Sequence, residues 1–225
     1  MATRAMTAKS ASGKSEPIDA LDDVLLQKIA ARGNVRTYPA NSVIINEGEK
    51  ADTFFILLSG RVKVFGSDAA GNQVVYATHG TGEYVGEMTL DGGIRAASVM
   101  TIEKTTCAVV SGAQLRDFIA EHPDFALNLI HKLIRRAREA TDGIKNLALL
   151  DVYGRICVLL TALADDPGAG GVRRVREKLT QQDIADRVGS SREMVSRIFK
   201  DLTAGGYLAV ESGKLTLLRK LPAHW

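Results

Sequence analysis

Seven consecutive residues near the C-terminus, Ser191-Arg192-Glu193-Met194-Val195-Ser196-Arg197, carry the most directional chemistry in the chain. An arginine side chain can donate two parallel hydrogen bonds to guanine O6 and N7, and a carboxylate can accept one from cytosine N4. Arg192, Glu193 and Arg197 lie within about one and a half helical turns of one another, so one helix end can present all three to base edges. Glu193 would repel a phosphate, so the triplet is not a nonspecific basic patch. Thr180, Gln182 and Ser191 add hydroxyl and amide groups suited to phosphate oxygens, contacts that position a protein without reading sequence. Lys214, near the tip of a later turn, is a further candidate phosphate contact.

These side chains need a scaffold, and the neighbouring residues describe one. Ile184 and Val188 form an i, i+4 apolar pair on a short helix that Thr180 can cap. Gly189 closes that helix where a left-handed residue is needed. Ser191 caps a second helix whose expected inner face is Met194, Val195, Ile198 and Phe199. Ala185 is small where the two helices must cross. This is the pattern of a helix-turn-helix, which places its second helix in the major groove of double-stranded DNA. A hairpin follows, Tyr207–Val210 and Leu215–Leu218 around Ser212-Gly213, in the position of a wing. Charge agrees: from Gly171 to Trp225 there are 11 Lys+Arg against 6 Asp+Glu, whereas the remainder holds 18 against 20. A polyanion partner fits the basic end.

The rest of the 225 residues falls into distinct segments. Residues 1–18 are polar and aperiodic and read as a flexible tail. A short helix is expected from Asp19 to about Ala31. Between Tyr38 and Gly112, short β-prone runs (Val43–Ile45, Phe54–Leu58, Val62–Phe65, Gln73–Thr78, Ala97–Ile102 and Thr106–Val110) alternate with turn residues. That spacing predicts a compact antiparallel β roll or barrel. From Pro123 to about Leu150 the period changes. Ile130, Leu133, Ala137, Ala140, Ile144 and Leu147 are spaced 3, 4, 3, 4, 3, a heptad seam that suits two helices packed along their length. A helix lying on its own domain is the other arrangement, and it usually carries a wider apolar stripe. A second helix runs from Asp151 to about Ala164 and stops at Asp165–Gly171. The expected organisation is a tail (1–18), a β-roll domain (19–122), a dimerisation helix (123–150) and a DNA-binding domain (151–225).

Other classes of function find little support. The two cysteines, Cys107 and Cys157, supply neither a disulfide framework nor a thiolate cluster. His79, His122, His131 and His224 are scattered without metal-ligand spacing, so no metal site and no catalytic residues are expected. There is no Walker-type phosphate loop. No run of about 18 apolar residues exists to span a membrane, and the first residues lack the apolar block of a signal peptide. A cytoplasmic protein without a membrane partner is the expectation.

With these residues in view, the chain resembles the CRP/FNR superfamily of bacterial transcription regulators. Ser191–Arg197 is similar to the recognition helix of the catabolite-activator branch, and Asn146–Arg155 resembles the family's hinge. Phe55-Ile56-Leu57-Leu58-Ser59-Gly60-Arg61-Val62 resembles its strand-turn signature. Gly86-Glu87-Met88-Thr89-Leu90, followed by Arg95-Ala96-Ala97-Ser98-Val99, resembles a cyclic-nucleotide phosphate-binding cassette. The resemblance implies an α+β protein: an N-terminal double-stranded β-helix (jelly-roll) domain that binds a cyclic nucleotide, a long dimerisation helix and a C-terminal winged helix-turn-helix. It implies no cofactor beyond an allosteric ligand, cAMP or another cyclic nucleotide, held by Gly86, Glu87, Met88, Arg95, Ala96 and, from the long helix, Thr141. It also implies a homodimer on a pseudo-palindromic operator with TGTGA-like half-sites, and RNA polymerase as a further partner. In cAMP sensors of the family a Ser or Thr follows the cassette arginine, where this chain has Ala96. The long-helix pair that meets the base is Thr-Ser in the catabolite-activator branch, and here it is Ala140-Thr141. A cyclic dinucleotide such as c-di-GMP, or activity without ligand, therefore stands as the alternative.

Overall fold

The computed structural model describes residues 23–168 and 171–222; the expected tail, the first residues of the expected N-terminal helix and His224 lie outside them. Helix α1 (Val24–Ala30) begins at Asp23, whose carboxylate accepts from the Leu25 and Leu26 amides at 2.9 and 3.2 Å. Eight strands follow: β1 (Asn34–Tyr38), β2 (Val43–Ile45), β3 (Thr53–Ser59), β4 (Val62–Ser67), β5 (Gln73–His79), β6 (Tyr84–Val85), β7 (Ser98–Thr101) and β8 (Thr105–Ser111). They form two four-stranded sheets, ordered β1-β8-β3-β6 and β2-β7-β4-β5, and all recorded pairings are antiparallel.

The run Phe54-Phe55-Ile56-Leu57-Leu58 is apolar at every position, and the packing explains why. Phe55 and Leu57 enter a core between the sheets with Ile45, Val62, Val85, Val99 and Cys107. Phe54, Ile56 and Leu58 point the other way, into a second core with Leu26, Ile29, Leu115, Phe118, Phe125 and Leu129. A strand covered on both faces has no wet side and therefore no alternation. The helices of that second core are α1, α2 (Gly112–Glu121) and the start of α3 (Pro123–Leu149). The sequence reading did not find α2; its signal is the capping box of Ser111 with Gln114. It also missed β1 and β6, which are short or largely polar.

Helix α3 runs 27 residues and buries only Phe125 and Leu129. Leu150 then turns extended (φ −112°, ψ 140°), and Asp151 starts α4 (Val152–Leu163) by accepting from the Gly154 amide at 2.7 Å. The C-terminal unit adds a two-residue strand β9 (Arg173–Arg174), helices α5 (Gln181–Val188) and α6 (Arg192–Ala204), and the hairpin β10 (Leu208–Glu211) with β11 (Lys214–Leu217). The three strands form a sheet in the order β10-β11-β9. Its core gathers Ile156, Leu160, Ile184, Ala185, Val188, Val195, Ile198, Phe199, Leu202, Leu208 and Leu215. Met194, expected on the inner face of α6, is exposed instead, because Val195, Ile198, Phe199 and Leu202 form the face that packs into the core and Met194 lies beside it.

Candidate functional sites: a DNA-reading helix and a ligand cassette

The turn between α5 and α6 forms as its residues dictate. Thr180 and Asp183 close a reciprocal capping box at the start of α5. Gly189 ends it at φ +61°, a backbone region that L side chains avoid. Ser191 caps α6 by accepting from the Met194 amide at 3.2 Å. Val195, Ile198, Phe199 and Leu202 anchor α6 in the core, so Arg192, Glu193, Arg197 and Lys200 stand exposed on its outer face. Among the described residues none of these four has a hydrogen-bond or ion-pair partner, and neither does Lys214 at the hairpin turn. The charged groups are thus presented to a partner outside the chain.

The three expected phosphate donors are already engaged. Thr180 Oγ1 lies 2.7 Å from Asp183 Oδ2, Gln182 Nε2 donates to Asp186 Oδ1 at 2.6 Å, and Ser191 serves as the α6 cap. All three remain at least partly exposed: Gln182 keeps a second N–H and Ser191 its hydroxyl proton for a phosphate, whereas Thr180 donates its one hydroxyl proton to Asp183 and would have to release that carboxylate first. The basic excess also divides in a way that composition hides. Arg173 and Arg176 donate to Thr161, Ala162, Leu163 and Asp165 carbonyls, satisfying the C-terminal end of α4. Arg219 does the same at Gly205 and Gly206 after α6, and Arg187 pairs with Glu177 at 2.8 Å. Much of the apparent polyanion signal therefore holds the fold.

Sequence reasoning placed Arg155 at the end of the hinge motif and gave it no role of its own. Its Nη1 donates to Leu150 O at 2.9 Å and its Nε to Val188 O at 2.8 Å. One guanidinium thereby joins the end of the long helix to the end of α5. A forked, always-charged donor suits a joint of this kind, because two carbonyls fix its plane.

The second site lies in the roll. Gly86 adopts φ +91°, and a Cβ there would lie 2.7 Å from Thr53 O and 3.0 Å from Arg95 Nη1. After it, Glu87–Leu90 forms one 3-10 turn in which Met88 is exposed and Thr89 buried. Arg95, 5 % exposed, donates to Gly86 O (3.0 Å), Thr53 O (2.6 Å) and Thr53 Oγ1 (3.1 Å). Burial draws this guanidinium below its ordinary pKa, while Asp52, Glu87 and Glu49 oppose the shift. Three of its five N–H groups suffice for the two carbonyls and the hydroxyl, which leaves donors for an anion. Ala96, next to it, is exposed and offers no hydroxyl.

Glu87 and Arg95 of the cassette do not form an ion pair with each other. The structure instead pairs Glu87 with Arg136 of α3, at 2.8 Å. Arg136 also donates to Tyr84 O at 2.7 Å and lies over the Tyr84 ring, with Lys132 close by. No signal in the sequence linked Arg136 to Glu87, since fifty residues and a sheet separate them. Tyr84 Oη and Arg136 Nε are buried there without hydrogen-bond partners among the described residues. Unsatisfied buried donors beside a carboxylate and a glycine turn fit a site completed by a polar ligand. Burial lifts the Tyr84 phenol to about 12, so it stays a neutral donor. Thr141 lies further along α3, exposed, with its hydroxyl donating to Ala137 O at 2.9 Å.

Next to the cassette, His79 Nδ1 lies 3.3 Å from Glu83 Oε1, and Glu83 Oε2 accepts from the Gly80 amide at 2.8 Å. The His79 contact is the largest cause that holds the Glu83 carboxyl down at about 2. A carboxylate depressed in the folded state stabilises the fold above its unfolded pKa, near 4.5, and loses that contribution as pH falls towards 2. Glu83→Gln is therefore expected to flatten the decline in melting temperature between pH 5 and pH 2.5. Superimposable acid profiles for the variant and the parent would contradict it.

Comparison with known proteins now decides the family. Residues 35–122 match the cyclic nucleotide-binding domain, and residues 154–221 match the Crp-like helix-turn-helix domain. The chain is 35% identical to the "cAMP-activated global transcriptional regulator CRP" of Salmonella typhimurium over 80% of this chain and 87% of that one. The chain belongs to the CRP/FNR family of transcriptional regulators. The CRP-like cAMP-activated regulator of Mycobacterium tuberculosis is 33% identical, over 80% of this chain and 82% of its own. Among solved structures, the c-di-GMP responsive global regulator CLP of Xanthomonas campestris superposes with a TM-score of 0.76 at 26% identity, covering 86% of this chain and 97% of that one. The α+β architecture is that of the family, and a CRP/FNR protein regulates transcription by binding DNA rather than by catalysing a reaction. No helix among the described residues is long and apolar enough to cross a membrane.

Proposed function

We propose that the chain is a cytoplasmic homodimeric activator or repressor that reads a pseudo-palindromic operator under the control of cAMP. One observation carries the dimer: the heptad residues Ile130, Leu133, Ala137, Ala140, Ile144 and Leu147 are all exposed on α3, with Ile144 at 68 %. Phe125 and Leu129, the buried apolar residues of the same helix, belong to the roll core and not to the seam. An apolar seam left uncovered at six successive heptad positions is the surface a second copy would bury. Two α6 helices would then face successive major grooves, about 34 Å apart. Arg192, Glu193 and Arg197 would read each half-site, with Thr180, Gln182, Ser191 and Lys214 on phosphates.

In this reading the ligand phosphate meets Arg95 and the turn at Gly86–Met88, and Glu87 accepts from a ribose hydroxyl. Binding there would compete with the Glu87–Arg136 pair and so act on the long helix directly. A ligand shifts the balance between two arrangements of α3 only by binding one of them more tightly. Ala140 supplies no hydroxyl to a base and Thr141 supplies one, which favours a weaker or altered base preference. That, with the likeness to the c-di-GMP responsive CLP, supports c-di-GMP as the second reading. RNA polymerase is the further partner the family resemblance supports.

Calorimetry on the full chain separates the two ligands. The primary reading expects cAMP to bind more tightly than c-di-GMP, and the reverse order would replace it with the second. The dimer has its own test. Ile144→Ala removes an apolar side chain from each copy, and sedimentation is expected to show dimerisation weakened at least tenfold, on the order of 2 kcal/mol for two side chains. An unchanged dimer constant would remove the seam from the interface.

A further inference from the structure

The DNA-reading unit is not joined to the roll by the α3–α4 turn alone. Helix α5 packs against strand β5, the outer strand of its sheet. The inner face of α5 is spent on Ile184, Ala185 and Val188, so what it turns outward is polar. Asp183 and Asp186 stand opposite Arg61 and Lys63 of the roll around a gap of about 60 Å³. That is room for ordered water and not for a nucleotide. At its rim Arg61 lies between two carboxylates, Glu103 of the roll at 3.3 Å and Glu177 of the DNA-reading unit at 4.0 Å. Glu177 is held in place by Arg187 of α5, 2.8 Å away.

The chemistry of this contact is that of a reversible one. It is small, and its opposed charges stand beside Val75, Ile102 and Leu179; small, partly polar contacts within a chain permit relative motion of the units they join. Arg61 is 41 % exposed, and on release from Glu177 it has Glu103 to receive it. Helices α5 and α6 share one core, so whatever fixes α5 against the roll also fixes the direction in which α6 presents Arg192, Glu193 and Arg197. The docked position leaves those three exposed.

We propose that Arg61 and Glu177 form an interdomain latch: with Arg61 shared to Glu177, α5 stays docked on β5 and α6 is held in the position from which a dimer reaches both half-sites. Arg61 and Glu177 are positioning residues, distant from the bases themselves. The last step rests on the proposed dimeric reading of an operator; the latch itself does not.

The test uses the full chain. Arg61→Gln removes the shared cation and leaves the Glu177–Arg187 pair intact, whereas Glu177→Gln removes the anion from the other side. Hydrogen exchange of the peptides spanning 73–79 and 181–188 is expected to quicken at least fivefold in both variants, with α4 and α6 unchanged, and Arg61→Lys is expected to restore protection. Affinity for a duplex with two half-sites is expected to fall 5- to 20-fold, while affinity for a single half-site stays the same. Unchanged exchange in both variants overturns the latch. Faster exchange with undiminished two-site affinity overturns its role in placing α6. If the parent protein binds neither duplex, the operator reading fails, and the exchange measurement alone decides the latch.

Discussion

Arg192→Ala is expected to abolish operator recognition while leaving the protein folded. Arg192 is exposed at the first position of α6 and its side chain bonds to none of the described residues, so its removal leaves no buried group among them unpaired. A bidentate arginine–guanine contact discriminates by about 1 to 3 kcal/mol. A symmetric dimer makes it twice, so the loss is about 2 to 6 kcal/mol, at least ~30-fold in affinity. The dependence of binding on salt should hardly change, because no phosphate contact is lost. Lys214→Ala should do the opposite: a modest loss, nearly uniform across sequences, with the salt slope reduced by about one per contact. Titrations of specific and scrambled duplexes at several salt concentrations separate the two. Equal loss on both duplexes for Arg192→Ala would assign that residue to the backbone and remove it from base readout.

Arg95→Ala is expected to damage the roll as well as the ligand site. In a family of cyclic-nucleotide sensors this arginine invites a purely ligand-directed reading. Here it also binds three oxygens across 42 residues of chain, clamping Thr53 to Gly86. Hydrogen bonds from a charged donor contribute about 1.5 to 3 kcal/mol, and the stranded Thr53 and Gly86 carbonyls add their own cost. A loss of about 2 to 5 kcal/mol should lower the roll's melting temperature by on the order of 10 °C or more. Arg95→Lys keeps the charge but cannot fork to two carbonyls, and should fall between the two. Thermal unfolding without ligand provides the measurement. If Arg95→Ala melts with the parent and only fails to bind nucleotide, the clamp contributes nothing to the fold.

The two ends of the chain were legible to different degrees. The α5–α6 turn could be read residue by residue, because its signals are local: a cap at Thr180, a left-handed residue at Gly189, a cap at Ser191 and an apolar face at helical spacing. Strands β2, β3, β4, β5, β7 and β8 were visible for the same reason, since turn residues bound each run. Strand β1, with its sequence Asn-Val-Arg-Thr-Tyr, was not, because its place depends on pairing with β8. Strand β9 is two arginines that become a strand only beside β11.

The limits are clearest in the charged residues. Lysines and arginines can be counted in a sequence, but their employment depends on which carbonyl or carboxylate lies nearby. Arg173, Arg176 and Arg219 close helix ends, whereas Arg192, Arg197 and Lys200 on the outer face of α6 and Lys214 at the hairpin turn have no partner among the described residues. The partner of Glu87 is likewise a tertiary fact, set by where α3 crosses the roll.

By itself, then, the sequence determined the kind of protein: a roll of short strands, a seamed helix and a helix-turn-helix with an Arg/Glu/Arg triplet, all written in patterns local to one segment of the chain. Only the tertiary structure decided how these parts act on one another. Arg95 became a clamp, Arg136 the partner of Glu87, Arg155 the joint between α3 and α5, and Arg61 the bridge to Glu177. Each joins an arginine to a carbonyl or carboxylate remote from it in the chain. Such contacts leave no periodic trace, because a single ion pair or hydrogen bond depends on distance in space and not on spacing along the backbone.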